Sequence, residues 1–235
     1  MRFAHDFQAD LAAILTELDS GRPFAFNRFA DGELAILEER DIPTADGWSA
    51  VNVSDKFRDR LRAALQYRDK DYYVGIGCPC CNKDEWLRLM ELAGREPDDP
   101  QVTFSNVFVN GNWDSCRRKL ENEYTAAIWS GDGRNYVNSP MSDIDYMIDI
   151  IKNNTYWYGR ELCGHKPLAH MLAFGPATKI MIHELRLQGC QATLIDIGSV
   201  LDSSGRSYHD PNHPNRKKIC QWSTKTIDNP APHSI

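Results

Sequence analysis

The stretch HMLAFGPATKIMIHELRLQGCQATLIDIGS, residues 170–199, decides how this chain folds. HMLAFG is a short apolar run ending on Gly175, the pattern of a buried strand that leads into a tight turn. Pro176 then stands at a helix start, where the N–H that it lacks is one the helix leaves unbonded anyway. Apolar residues recur at helical spacing as far as Leu187, Gly189 closes the helix, and ATLIDIG (192–198) reads as a second buried strand. Together they make a βαβ unit, which joins two parallel strands.

Ligands of such units collect at the carboxyl ends of the strands. The N–H groups of Ala177 and Thr178, with the helix dipole behind them, form a seat for phosphate to which the Thr178 hydroxyl can add; an ordinary ligand-free turn has the same sequence. Asp196 follows at about the 20-residue distance at which dinucleotide-binding folds contact a ribose. The GxGxxG fingerprint is missing, which argues against NAD or FAD.

Outward from this unit the chain alternates short β-rich runs with longer helical patterns, an α/β architecture with a mainly parallel, Rossmann-like sheet flanked by helices. Strands are expected at 23–29, 72–77, 102–108, 134–138, 170–175 and 192–198, and helices near 6–19, 31–40, 54–67, 83–93, 113–129, 142–152 and 177–188. No repeat or low-complexity tract divides the 235 residues, so the expectation is one domain over 1–235 with an irregular, proline-interrupted segment from about residue 203.

The composition is that of an ordinary globular chain, 42% hydrophobic and 26% charged, with no apolar run near the ~20 residues that span a bilayer. No signal or transit peptide is visible, and a cytoplasmic location is expected. Seven cysteines without a regular framework read as reduced thiols. CPCC (78–81) lacks the second half of a zinc site, and His209 with Asp210 and His213 reads as a solvated loop. A net charge of −6 gives no general pull toward nucleic acid.

A second stretch, NRFADGELAIL (27–37), carries the candidate chemistry. A strand ending at Phe29 places Asp31 and Glu33 just past its carboxyl end, and with a turn at Gly32 the two carboxylates can share one space and suit a hard divalent cation, Mg²⁺ or Mn²⁺. The alternative is an N-cap aspartate and an acidic first turn, favourable against the helix dipole without any function. Arg28 can pair with a phosphate, orient a carboxylate or make a structural ion pair.

Taken together, RFADGE and the distant FGPATKIMIHEL with LIDIGSVLD resemble the bacterial glycosyltransferases of the GT-D fold, whose signature is RFGDGE with a metal-binding D-x-E; the resemblance covers most of residues 20–202. It implies a GT-D type fold and a metal-dependent hexosyltransferase. Such an enzyme moves a sugar from a nucleotide-diphosphate donor, a UDP-sugar first, to an acceptor hydroxyl. The acceptor would be a saccharide or glycan, a glycoprotein glycan included, or a modified DNA base contacted by Arg206, Arg216, Lys217 and Lys218. In that reading Asp31 and Glu33 hold Mn²⁺ or Mg²⁺, Arg28 supports them, and Gly175, Pro176, Ala177 and Thr178 line the donor pocket. Asp196 and Asp202 lie near sugar or acceptor, with Asp202 or a donor phosphate as general base. Ala30 departs from the family's glycine, which removes backbone freedom beside the motif. The segment after Asp202 departs as well, so the acceptor is not inherited. Two other readings stand beside this one: a Rossmann-like S-adenosylmethionine-dependent transferase, which leaves RFADGE unexplained, and a non-catalytic nucleotide-sugar binding protein.

Overall fold

The computed structural model describes residues 1–40, 53–77, 79, 82–105, 107, 112–131, 141–157 and 166–198. In chain order these hold α1 (Phe7–Ser20), β1 (Ala25–Phe29), α2 (Asp31–Leu37), α3 (Asp55–Gln66), β2 (Tyr72–Ile76), α4 (Lys83–Ala93), β3 (Val102–Phe104), α5 (Asn112–Glu123), β4 (Thr125–Ser130), α6 (Met141–Trp157), β5 (Leu168–Ala173), α7 (Ala177–Leu187) and β6 (Thr193–Asp196).

The six strands form one sheet in the order β3-β2-β1-β6-β5-β4, and all five neighbouring pairs are parallel. β1, β2 and β3 step outward from the centre, whereas β4, β5 and β6 start at the opposite edge and step inward. The first and last strands therefore adjoin in the middle of the sheet, with Ala25 opposite Leu194 and Phe26 opposite Ile195. The residues at and just past their carboxyl ends, RFADGE and DIG, are brought together although they are far apart in the chain.

A parallel sheet has to be covered on both faces, and its central strands are accordingly mostly buried; every residue of β2 is buried. One face packs Ala25, Phe29, Val74 and Leu194 against apolar residues of α2, α3, α4, α6 and α7. The other packs Phe24, Phe26, Tyr73, Phe104 and Ile195 against Leu11, Ile14 and Leu18 of α1 and Cys116 and Leu120 of α5. Local signals set the helix ends. Asp6 accepts from Ala9 N–H at 2.8 Å, Asn82 accepts from Glu85 N–H at 3.3 Å, and Gly21 and Gly94 close helices in the left-handed conformation.

Two sequence expectations need comment. The helix expected over 113–129 is α5 followed at once by an edge strand, β4, in which Ala126, Ile128 and Ser130 are exposed while the alternate residues are half-buried. The strand expected at 134–138 lies outside the described residues. Among the described residues no helix is long and apolar enough to cross a membrane.

Candidate active site

The site is built where four strands end. Asp31 is the first residue of α2 and is exposed. The helix N-cap is Ala30, not the aspartate. Ala30 has φ −145° and ψ −159°, ordinary extended backbone that alanine adopts without strain. Glu33 turns back over the helix start, its Oε2 accepting from Ala30 N–H at 2.9 Å, which makes half of a capping box because alanine has no oxygen to return the bond. Side chains two positions apart on a helix ordinarily diverge; this backward turn carries the Glu33 carboxylate toward the end that bears Asp31.

Lys179, the third residue of α7, occupies the centre. Its Nζ lies 3.1 Å from Glu33 Oε1 and 2.9 Å from Asp196 Oδ2, and donates to the carbonyl of Gly175 at 3.3 Å. All three side chains of this triad are less than a tenth exposed. Burial disfavours the ammonium, but the charges of Asp196 and Glu33 outweigh it and hold the Lys179 pKa above the ordinary lysine value. The lysine backbone is fixed from beneath: Asn27, buried in β1, donates to Lys179 O at 2.9 Å and to Tyr72 Oη at 2.7 Å, and Tyr72 Oη donates in turn to Ala64 O at 2.8 Å.

Asp196 ends β6 and is fully buried. Besides Lys179 it accepts from Arg28 N–H at 3.2 Å through Oδ2 and from Gly198 N–H at 2.9 Å through Oδ1. Its carboxylate thus ties β1, β6 and α7 together. Arg28 donates through Nη1 to Ile197 O at 3.3 Å, and its buried Nε has no partner among the described residues. A buried donor without an acceptor is unusual, and it marks the place where an anionic oxygen would be welcome.

The glycine-proline turn is formed as expected, with Gly175 at φ +56° and Pro176 opening the helix. Its hydroxyl is spent internally: Thr178 Oγ1 accepts from Phe174 N–H at 2.7 Å, while Thr178 N–H reaches Gly175 O at 3.1 Å. Ala177 and Thr178 are fully buried. The turn therefore offers the site its helix dipole and Lys179, and the Thr178 hydroxyl locks the turn.

A third carboxylate enters from α4. Glu85 Oε1 lies 3.3 Å from where a Cβ on Gly77 would stand, so it sits over the end of β2, with Oε2 held by Asn82 Nδ2 at 2.9 Å. Burial, with the charges of Asp31 and then Glu33 adding to it, pushes the Glu85 pKa up to about 7. Glu85 thus lies within electrostatic reach of Asp31 and Glu33, and a carboxyl that titrates near neutrality can hold or release a proton under physiological conditions.

Asp31 and Glu33 fit a divalent cation. Asp31 is open to solvent and has no ion-pair partner among the described residues, and each Glu33 oxygen has accepted one internal donor, which leaves lone pairs on both. Among the described residues no group of three or more histidine, cysteine or acidic side chains is arranged to hold a metal ion, so an ion here would draw further ligands from water or a substrate phosphate. Lys179 and Glu85 escaped the sequence reading. The available signal was a lysine in the first turn of α7, and a glutamate in the first turn of α4.

Asp202, the cluster Cys78, Cys80 and Cys81, and Arg206, Arg216, Lys217 and Lys218 lie outside the described residues, as do His209, Asp210 and His213. Cys116 and Cys190 are buried and free, and burial pushes the Cys116 thiol up to about 12.

One solved structure is similar to this chain, a domain of unknown function 1792 described as having "a distinct glycosyltransferase fold". The match has a TM-score of 0.52 at 15% identity and covers 82% of this chain and 76% of that chain. The chain has that glycosyltransferase fold. Comparison with protein-family models found no match, and comparison with curated proteins found none.

Proposed function

We propose that the protein is a metal-dependent glycosyltransferase that moves a sugar from a nucleotide-diphosphate donor, a UDP-sugar first, to a hydroxyl of a saccharide or glycan. One observation carries the reading. Glu33, Lys179, Asp196 and Arg28 meet at the adjoining ends of β1 and β6, with Asp31 opening α2 beside them and Glu85 over the neighbouring end of β2. That is where open parallel sheets bind ligands, and here it lies in a sheet of glycosyltransferase fold.

Asp31 and Glu33 are the residues that would hold Mn²⁺ or Mg²⁺, and such an ion supplies charge neutralisation to a departing diphosphate. Arg28, with its unpartnered Nε, and the N-terminal end of α7 offer further positive potential to the same phosphates. Asp196 fixes Arg28 and Lys179 relative to each other, so that this potential is in place before substrate arrives. Glu85, which overhangs the end of β2, would take the acceptor's proton on its carboxylate. Gly175 to Thr178 form the floor under the donor.

Thermal-shift titration with a panel of nucleotide sugars, with and without Mn²⁺, tests the reading, followed by donor hydrolysis. UDP-sugars should stabilise the protein only when the metal is present. Stabilisation by S-adenosylmethionine, or metal-independent sugar binding without turnover, would replace this reading with another. Turnover unchanged in the Asp31→Ala, Glu33→Ala double variant would remove the metal site.

A further inference from the structure

The ammonium of Lys179 is fully engaged, with one acceptor for each of its three protons: Glu33 Oε1 at 3.1 Å, Asp196 Oδ2 at 2.9 Å and Gly175 O at 3.3 Å. Its side chain is 7% exposed, the tether to Gly175 comes from its own helix start, and Asn27 pins its backbone. This cation cannot swing away without leaving Glu33 and Asp196 buried and unpaired. An ion bound through Glu33 must therefore accept a fixed positive charge on the same carboxylate, within a few ångströms. Two like charges that close repel appreciably in a partly buried site. A nucleoside diphosphate reverses the balance, since its negative oxygens can ligate the ion and face Arg28 as well.

We infer that Lys179 is a resident cation that weakens the hold of Asp31 and Glu33 on a free divalent ion, so that metal and nucleoside diphosphate bind this site together rather than in turn. The inference rests on the metal and donor reading given above. It makes Lys179 a positioning residue whose charge sets the metal affinity, in addition to any part it plays in holding the strand ends.

The test is a Mn²⁺ titration followed by the electron paramagnetic resonance signal of free Mn²⁺, with and without UDP, on the full chain and its Lys179→Gln and Lys179→Arg variants. Glutamine removes the charge and keeps two N–H donors on a chain one bond shorter; arginine keeps the charge. In the unaltered protein UDP should raise Mn²⁺ affinity about tenfold or more, a coupling within the usual range between linked sites. Lys179→Gln should bind Mn²⁺ alone about tenfold more tightly than the unaltered protein, with the gain from UDP reduced, and Lys179→Arg should restore the original behaviour. A purely structural lysine predicts the opposite direction, a loosened site that binds the ion less well. If Lys179→Gln, folded by circular dichroism, binds Mn²⁺ alone no more tightly than the unaltered protein, the inference is wrong while the metal site stands. Should that variant not fold, the unaltered protein decides alone: Mn²⁺ binding that UDP does not strengthen overturns the inference. Absence of any Mn²⁺ binding, with or without UDP, removes the metal reading itself and this inference with it.

Discussion

Arg28 and Gly198 occupy adjoining space at the junction of β1 and β6, so closely that a Cβ on Gly198 would lie 2.8 Å from Arg28 Nη2 and 3.1 Å from its Cζ. Gly198 also has φ +52°, where a side chain is strained by ~1–2 kcal/mol, and its N–H is bonded to Asp196. Gly198→Ala should therefore lose about that much stability and displace the guanidinium from Ile197 O. The measurement is urea unfolding together with donor KM. An unchanged KM would mean that the Arg28 position has no bearing on donor binding.

Asp31 and Glu33 sit two residues apart but answer to different surroundings, and their variants should separate accordingly. Asp31→Asn changes an exposed carboxylate with no ion-pair partner among the described residues, so stability should stay within ~0.5 kcal/mol while Mn²⁺-supported turnover falls by at least about a hundredfold. Glu33→Gln takes a partner from the buried Lys179 and weakens the bond to Ala30 N–H, which should cost about 1–3 kcal/mol in addition to turnover. Equal stability losses in the two variants would contradict this division of labour.

Most of the architecture can be read from local pattern because its elements are buried. Apolar runs mark β1, β2, β3, β5 and β6, and turn chemistry marks the βαβ unit of residues 168–196. β4 escaped notice because Leu120, Tyr124 and Ala127 keep helical spacing and the two alanines favour helix. Tertiary structure ends α5 there: Tyr124 is buried, and its hydroxyl donates to Leu18 O of α1 at 2.7 Å. The site divides in the same way. Arg28, Asp31 and Glu33 belong to one motif and Asp196 to a strand end, so each is visible locally. Lys179 and Glu85 matter only through what they meet from other elements, a property of the folded chain that spacing does not carry.

Glu85 makes the stability of the metal-free protein depend on pH. Its pKa of about 7 in the fold lies above the ordinary value of 4.5, so its contribution is fully present below about pH 4.5 and is lost as pH rises through about 7. Because the group is partly exposed, solvent screening discounts the effect to roughly 1 kcal/mol. Glu85→Gln should flatten this part of the profile and be the more stable protein at pH 8, measured by urea unfolding in EDTA. A variant that is less stable than the unaltered protein at pH 8 would show that the Glu85 charge is compensated in the fold.

His170 produces a pH dependence of the opposite sign, away from the site. It is fully buried in β5; its Nδ1 lies 3.0 Å from Trp129 Nε1, and its Nε2 lies 2.8 Å from Thr155 Oγ1. Indole N–H can only donate, so Nδ1 must accept and the neutral ring carries its proton on Nε2. A second proton on Nδ1 would confront the Trp129 N–H, and burial lowers the pKa from 6.5 to about 4. Stability from this group is present above about pH 6.5 and is lost as pH falls toward 4, amounting to about 2 kcal/mol between pH 7 and pH 5. Urea unfolding at the two pH values should show that loss in the unaltered protein and a loss smaller by about the same amount in His170→Asn, which does not titrate. The variant should also start lower at pH 7, having given up the bonds to Trp129 and Thr155. If both proteins weaken equally between pH 7 and pH 5, His170 is not the titrating group, and acid sensitivity has to be sought in another buried residue.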